Sequence, residues 1–176
     1  MCYFLYLGSP LTLSEVRAML PPGLAADPAP SADQRLLRRW DPTTQTGVTL
    51  LVGACSCAVS GRLEDDPREA ERALRARYFE LGVPRDLVIR ALERHRKGRG
   101  VRPPPGGWPA ALAGFVGEHA RNAGPALYYL RFDPRGPGVI PADPPPTNRV
   151  VTVAEVRTHG SPAAWLPEAV PTTVVR

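Results

Sequence analysis

No window of this 176-residue chain reaches the ~18 uncharged apolar residues that a membrane span needs. The N-terminus has neither the basic leader nor the long apolar run of a secretory signal. A soluble, cytoplasmic protein with no membrane partner is therefore expected. Cysteine is scarce: three residues, an odd number, argue against a disulfide framework. No G-x-x-x-x-G-K-[ST], G-x-G-x-x-G or G-x-S-x-G occurs, so nucleotide and flavin cofactors have no support and no cofactor is expected. The only asparagines are Asn122 and Asn148, and neither precedes glycine.

Proline is abundant at 22 residues, but it clusters in loops, and 43% hydrophobic content argues against global disorder. The net charge of +5 permits an acidic partner but is modest for a dedicated nucleic-acid binder. The length suits one domain, 1–176, with a real core.

Cys2 opens an apolar run through Gly8 that reads as a buried strand. Thr12 with Glu15, Ser31 with Gln34, and Asp66 with Glu69 read as capping boxes that open helices. Between the first two, Pro21 to Pro30 reads as a loop. Gly47 to Ser60 reads as a second strand, with Cys55, Cys57 and Val59 on one face. Helices follow to about Leu81, from Pro84 to about Lys97, and from Trp108 to Ala123. Ala126–Phe132 and Val150–Arg157 read as two more strands; the tail, with Trp165 and Val170, has no clear period. The expectation is an α+β fold with a sheet of about four strands and helices packed on it. A helical block at about 66–123 lies between strands, and 62–123 could form a helical insertion.

Met1-Cys2 is the most suggestive feature. Met before a small residue is normally trimmed, which would leave a thiol and a free α-amine on one residue. That amine, with a reference pKa of roughly 8, can serve as base to its own thiol. Met1-Cys2, Tyr6-Leu7-Gly8, Pro10, Leu13, Pro21-Pro22 and Leu24 together resemble the start of class II glutamine amidotransferases and their small amidohydrolase relatives. Val150-Val151 through Glu155, Trp165 and Val170-Pro171 add a fainter likeness. The resemblance implies an N-terminal-nucleophile hydrolase in which Cys2 attacks a small amide substrate and forms a thioester. The Asn-Gly pair that helps build the oxyanion hole of that family has no counterpart here.

Two other constellations stand out. Cys2, Cys55, Cys57 and His119 would make a tetrahedral zinc set. However, a C-x-C inside a strand gives parallel side chains and no knuckle, so no metal site is expected. Cys57 with His119 could form a nucleophile pair, but nothing in the sequence places them together. Separately, the helical hairpin 66–102 resembles a helix-turn-helix, with Val83, Val88 and Leu92 turned inward. Arg85, Arg90, Arg94, Arg96 and Lys97 could then face nucleic-acid phosphates or an acidic protein surface. This makes a non-enzymatic binding module the alternative to the Cys2 hydrolase. Asp65-Asp66 is accounted for by capping of the following helix.

Overall fold

A computed structural model describes residues 2–62, 66–133 and 147–176. Met1 and Asp65 lie outside the described residues. The fold is α+β, and the described residues form six strands and seven helices. The strands are β1 (Cys2–Ser9), β2 (Leu24–Pro28), β3 (Thr46–Val52), β4 (Ala126–Asp133), β5 (Arg149–Thr152) and β6 (Thr172–Val175). They form one sheet in the order β2-β3-β1-β4-β6-β5. Its pairs are antiparallel except β5 with β6. The helices are α1 (Leu13–Ala18), α2 (Ser31–Trp40), α3 (Pro67–Glu80), α4 (Arg85–Arg99), α5 (Gly107–Ala123), α6 (Val153–His159) and α7 (Pro162–Trp165).

The expected four strands become six, and both additions lie where the alternating pattern is poorest. β2 falls in the stretch read as a loop. Leu24 and Ala26 are buried and alternate with exposed Ala25 and Asp27, and an edge strand tolerates its terminal Pro28. β6, in the tail, buries Thr172 and Val174 between β4 and β5. The strand read at Val150–Arg157 ends instead at Thr152. Thr152 accepts from the Glu155 amide, and the Glu155 carboxylate accepts from the Thr152 amide, so a capping box starts α6 there. The strand read through Ser60 ends at Val52, because Gly53 takes a positive φ of +67° and turns the chain.

β1 is the spine of the sheet, and each of its eight residues is buried. It pairs with β4 from Cys2 to Gly8, but with β3 only from Leu5 to Ser9. The first three residues of β1 therefore lack a strand on that side. The turn after β3 fills the gap. Val52 donates to the Cys55 carbonyl (2.8 Å), and the chain doubles back so that the Ser56 amide donates to the Tyr3 carbonyl (2.8 Å). The Leu5 amide donates to Ser56 Oγ (2.8 Å), and the Tyr3 amide donates to Cys57 Sγ (3.4 Å). Ser56 Oγ in turn donates to the Leu50 carbonyl. Two side chains thus do the work of a strand, which keeps buried backbone donors satisfied.

Helices α3, α4 and α5 all lie between β3 and β4, as the helical block was expected to. Arg77 on α3 ties this block to the sheet. It donates to Tyr3 Oη (2.8 Å), pairs with Glu168 (2.8 Å) and lies 3.9 Å above the Phe132 ring. α4 makes its closest approach at Gly98. A Cβ there would stand 2.7 Å from the Val52 carbonyl oxygen and 3.7 Å from Cys55 Sγ, and one on Gly53 would stand 2.9 Å from Gly98 Cα. Backbone meets backbone at this crossing, so no side chain fits between them.

Gly98→Ala is therefore expected to push α4 off the Val52–Cys55 turn and destabilise the fold by about 1–3 kcal/mol. Chemical denaturation measures this; an unchanged midpoint would show that the crossing is slack.

Candidate functional site: a buried three-thiol cluster

The turn after β3 does more than complete the sheet. It brings Cys55 and Cys57 to Cys2, at the first position of β1. The three sulfurs lie within 4.8 Å of one another, and all three residues are buried and free of disulfides. Each sulfur has its own backbone neighbour. Cys2 Sγ is 3.3 Å from the Ala91 carbonyl oxygen, and Cys55 Sγ is 4.0 Å from that of Arg94, both on α4. Cys57 Sγ instead accepts the Tyr3 amide. Two of the sulfurs thus face acceptors and one faces a donor.

Crowding makes the ionisations interdependent. Hydrogen bonds from Cys55 and Cys57 pull the Cys2 ionisation well below the thiol range, against the effect of burial, with help from the Arg94 guanidinium. The same contacts raise Cys55 and Cys57, because a second charge would sit against the first, and burial adds to this. The Ala91 carbonyl resists charge on Cys2, while the Tyr3 amide favours it on Cys57. One negative charge is therefore shared by the set, and its titration belongs to the set rather than to one residue.

A cavity of about 380 Å³ opens on the cluster. Cys55, Cys57 and His95 line it together with Trp108, Val101 and Pro103. His95 was not singled out in the sequence because it lies in the Arg-rich run of α4. It is buried, and its Nε2 accepts from Arg99 Nε at 3.1 Å. Burial first, then Arg99, lowers its pKa and keeps the ring neutral. With Nε2 accepting, the proton sits on Nδ1, and that N–H has no partner among the described residues.

His119 does not join this site. Cys2 and Ser9 begin and end β1, about 23 Å apart at ~3.3 Å per residue, and their side chains leave opposite faces. His119 hydrogen-bonds Ser9 Oγ through Nε2 (2.8 Å). It is fully buried and its pKa is lowered to about 4 by burial alone. The zinc set of Cys2, Cys55, Cys57 and His119 therefore keeps its three sulfurs and loses its histidine, and a Cys57–His119 pair is not formed. The objection to a strand-borne C-x-C is also removed, because Cys55 and Cys57 lie on a turn.

The basic residues of the hairpin are dispersed. Arg90 pairs with Asp86, and Arg96 pairs with Glu71 across the α3–α4 contact (2.7 Å). Arg94 is partly buried and acts on Cys2. Arg85 and Lys97 are exposed. Val83, Val88 and Leu92 do pack against the core as a helix-turn-helix pattern requires. No helix among the described residues is long and apolar enough to cross a membrane. No family model, curated protein or solved structure matches the chain.

The metal-free reduced protein is expected to show one equivalent of thiolate absorbance at pH 7, where unperturbed thiols of pKa about 8.5 would show almost none. A second equivalent should appear only well above the ordinary thiol range. The first ionisation is lowered in the folded state, so the unfolded chain binds more protons below that range. This group's contribution to stability is then full above the ordinary thiol pKa and fades as the pH falls. A single rise near pH 8.5 with three equal equivalents would show the thiols to be independent.

Proposed function

We propose that the protein binds a d¹⁰ metal ion, zinc or copper(I), through Cys2, Cys55 and Cys57. One observation carries this reading: three buried sulfurs from two separate parts of the chain lie within 4.8 Å of one another without any disulfide. Tetrahedral zinc with Zn–S near 2.3 Å needs sulfurs about 3.8 Å apart, a small contraction of such a set. An all-sulfur donor set selects soft or borderline ions over magnesium or calcium. Burial of a shared charge, costly without a counter-ion, is relieved by a cation at the same point.

The cavity adjoins two of the three sulfur residues, Cys55 and Cys57, and a fourth ligand would come from that side. His95 cannot be that ligand as it stands, since its proton is on Nδ1 and its Nε2 lone pair is taken by Arg99. The metal would keep an open position there for water or a small ligand, the arrangement associated with reactive rather than purely structural zinc. The supporting contacts are those that orient each sulfur: the Tyr3 amide on Cys57 and the α4 carbonyls beside Cys2 and Cys55.

Cobalt(II), used as a spectroscopic substitute for zinc, is expected to bind one per chain with an intense thiolate charge-transfer band. Zinc binding at pH 7 should release about two protons, because the set already holds one negative charge. Cys57→Ala should weaken binding by at least 100-fold. Absence of the charge-transfer band, or equal binding by Cys57→Ala, would sink the reading.

The Cys2 hydrolase remains the second reading, favoured by the lowered Cys2 ionisation beside a cavity. It requires the α-amine to be on Cys2. Intact mass of the natively produced protein tests that, and retained Met1 would end it. The hairpin reading, through Arg85, Arg90, Arg94, Arg96 and Lys97, has weaker support because the middle three are engaged within the fold.

A further inference from the structure

We propose a further activity for this site: the Cys57 sulfur reduces a small organic hydroperoxide held in the cavity, and Cys2 then closes a Cys2–Cys57 disulfide. The inference uses the same sulfurs as the metal reading but does not depend on metal binding.

Three observations on different residues converge. Of the three sulfur residues, Cys55 and Cys57 line the cavity, while Cys2 is fully buried behind them. Attack and resolution are thereby divided between an approachable sulfur and a hidden one. Cys57 also accepts the Tyr3 amide, a fixed donor suited to a thiolate at that position. His95 supplies the second observation. It is 3% exposed, lines the same cavity, and carries an Nδ1–H with no acceptor among the described residues. A buried N–H left unpaired costs free energy, and a ligand oxygen in the cavity would satisfy it. The third is the rest of the lining. Apart from Arg99, whose Nε is given to His95, it is mostly apolar, with Trp108, Val101, Pro103 and Pro109, suiting an organic rather than a purely polar peroxide.

The chemistry balances with the hydroperoxide as the only oxidant. The charge shared by the set first moves to Cys57 as the Cys57 proton passes to Cys2, and the Cys57 thiolate beside the Tyr3 amide then attacks the terminal oxygen of R–O–O–H. The S–O bond forms, the O–O bond breaks, and the products are Cys57–SOH and RO⁻. His95 Nδ1–H hydrogen-bonds the departing oxygen, which takes a proton from water to give the alcohol. The hydroxide left takes the proton of Cys2. Cys2 thiolate then attacks the Cys57 sulfur, the S–S bond forms and hydroxide leaves. Overall, one thiolate, one thiol and one hydroperoxide give one disulfide, one alcohol and one hydroxide.

Cys2 comes from β1 and Cys57 from the turn, so a bond between them joins two segments, whereas a Cys55–Cys57 bond would close a tight, strained ring between residues two apart. Cys57 sits on the turn that follows β3, outside the strand ladder, and its backbone neighbour Ser56 is already bonded to Tyr3. Bond formation to about 2.05 Å needs the sulfurs to close from within 4.8 Å, a side-chain and turn adjustment rather than a refolding.

The test treats the reduced, chelator-washed full chain with cumene hydroperoxide. One equivalent should be consumed per chain, free thiols should fall from three to one, and peptide mapping should find Cys2 joined to Cys57. Cys2→Ser should still consume hydroperoxide but end as a sulfenic acid trapped by dimedone. His95→Phe should slow consumption about tenfold or more without changing the cross-link. If Cys2→Ser fails to fold, peptide mapping of the unaltered protein still decides between the bonds. A Cys55–Cys57 bond, three thiols surviving, or reaction no faster than that of free cysteine would overturn the proposal. Cobalt binding without the cross-link would leave the metal reading standing and remove this one; the cross-link without cobalt binding would do the reverse.

Discussion

The interaction on which the site depends is the return of residues 55–57 to the open flank of β1. β3 stops pairing with β1 at Leu5, yet β1 continues inward to Cys2 and stays buried. Buried amides without acceptors each cost roughly 1–3 kcal/mol, so the flank needs closing. The chain closes it with the Ser56 hydroxyl and the Cys57 sulfur rather than with another strand. That choice fixes Cys57 beside Tyr3, and through it beside Cys2. The thiol cluster is therefore tied to the way the sheet ends and is not simply added to its surface.

The other constraint is α4. Its carbonyls at Ala91 and Arg94 face Cys2 and Cys55, and they can do so only because Gly98 lets the helix touch the Val52–Gly53 backbone. The helix that the sequence suggested as a nucleic-acid reader is thus the lid of the sulfur cluster. Arg94 contributes from within, while Arg90 and Arg96 are spent on Asp86 and Glu71. The same helix carries His95, which gives the cavity its one buried, unpaired ring N–H among the described residues.

Much of the fold was legible. β1 and β4 and the helices α1 to α5 follow from apolar periodicity, capping residues and terminal glycines, which are local signals, although α2 starts at Ser31 after Pro30 with no side-chain cap, so the Ser31–Gln34 capping box does not form. β2 and β6 were not legible, because short edge or near-edge strands with Pro28 or with threonines carry little alternation. α6 was misread because Val150 to Val156 is β-branched and alternating, although Thr152 and Glu155 held the contrary signal. Of the site, Cys2, Cys55 and Cys57 could be named together from their chemistry, but their meeting is a long-range event. It turns on Gly53, a single residue whose positive φ reverses the chain before Cys55. Read as part of a continuous strand, the C-x-C pointed away from a metal; read as a turn, it points toward one.

His119 and His95 show why a histidine's apolar surroundings do not decide its role. Both are buried and both are held neutral by burial. In each, Nε2 is engaged and Nδ1 lacks a protein partner among the described residues. What separates them is space. His119 lies against Phe115, Tyr128 and Ser9 in the packed core, where its ring is one more filler of the α5–sheet contact. His95 lies on a cavity that also exposes sulfur. An unpartnered ring nitrogen in a filled core is only a cost, whereas an unpaired donor on a cavity wall beside sulfur can be satisfied by a bound molecule. The chemistry proposed for this protein therefore rests at the Cys2 end of β1, where the sheet's missing pairing, the glycine crossing and the cavity coincide.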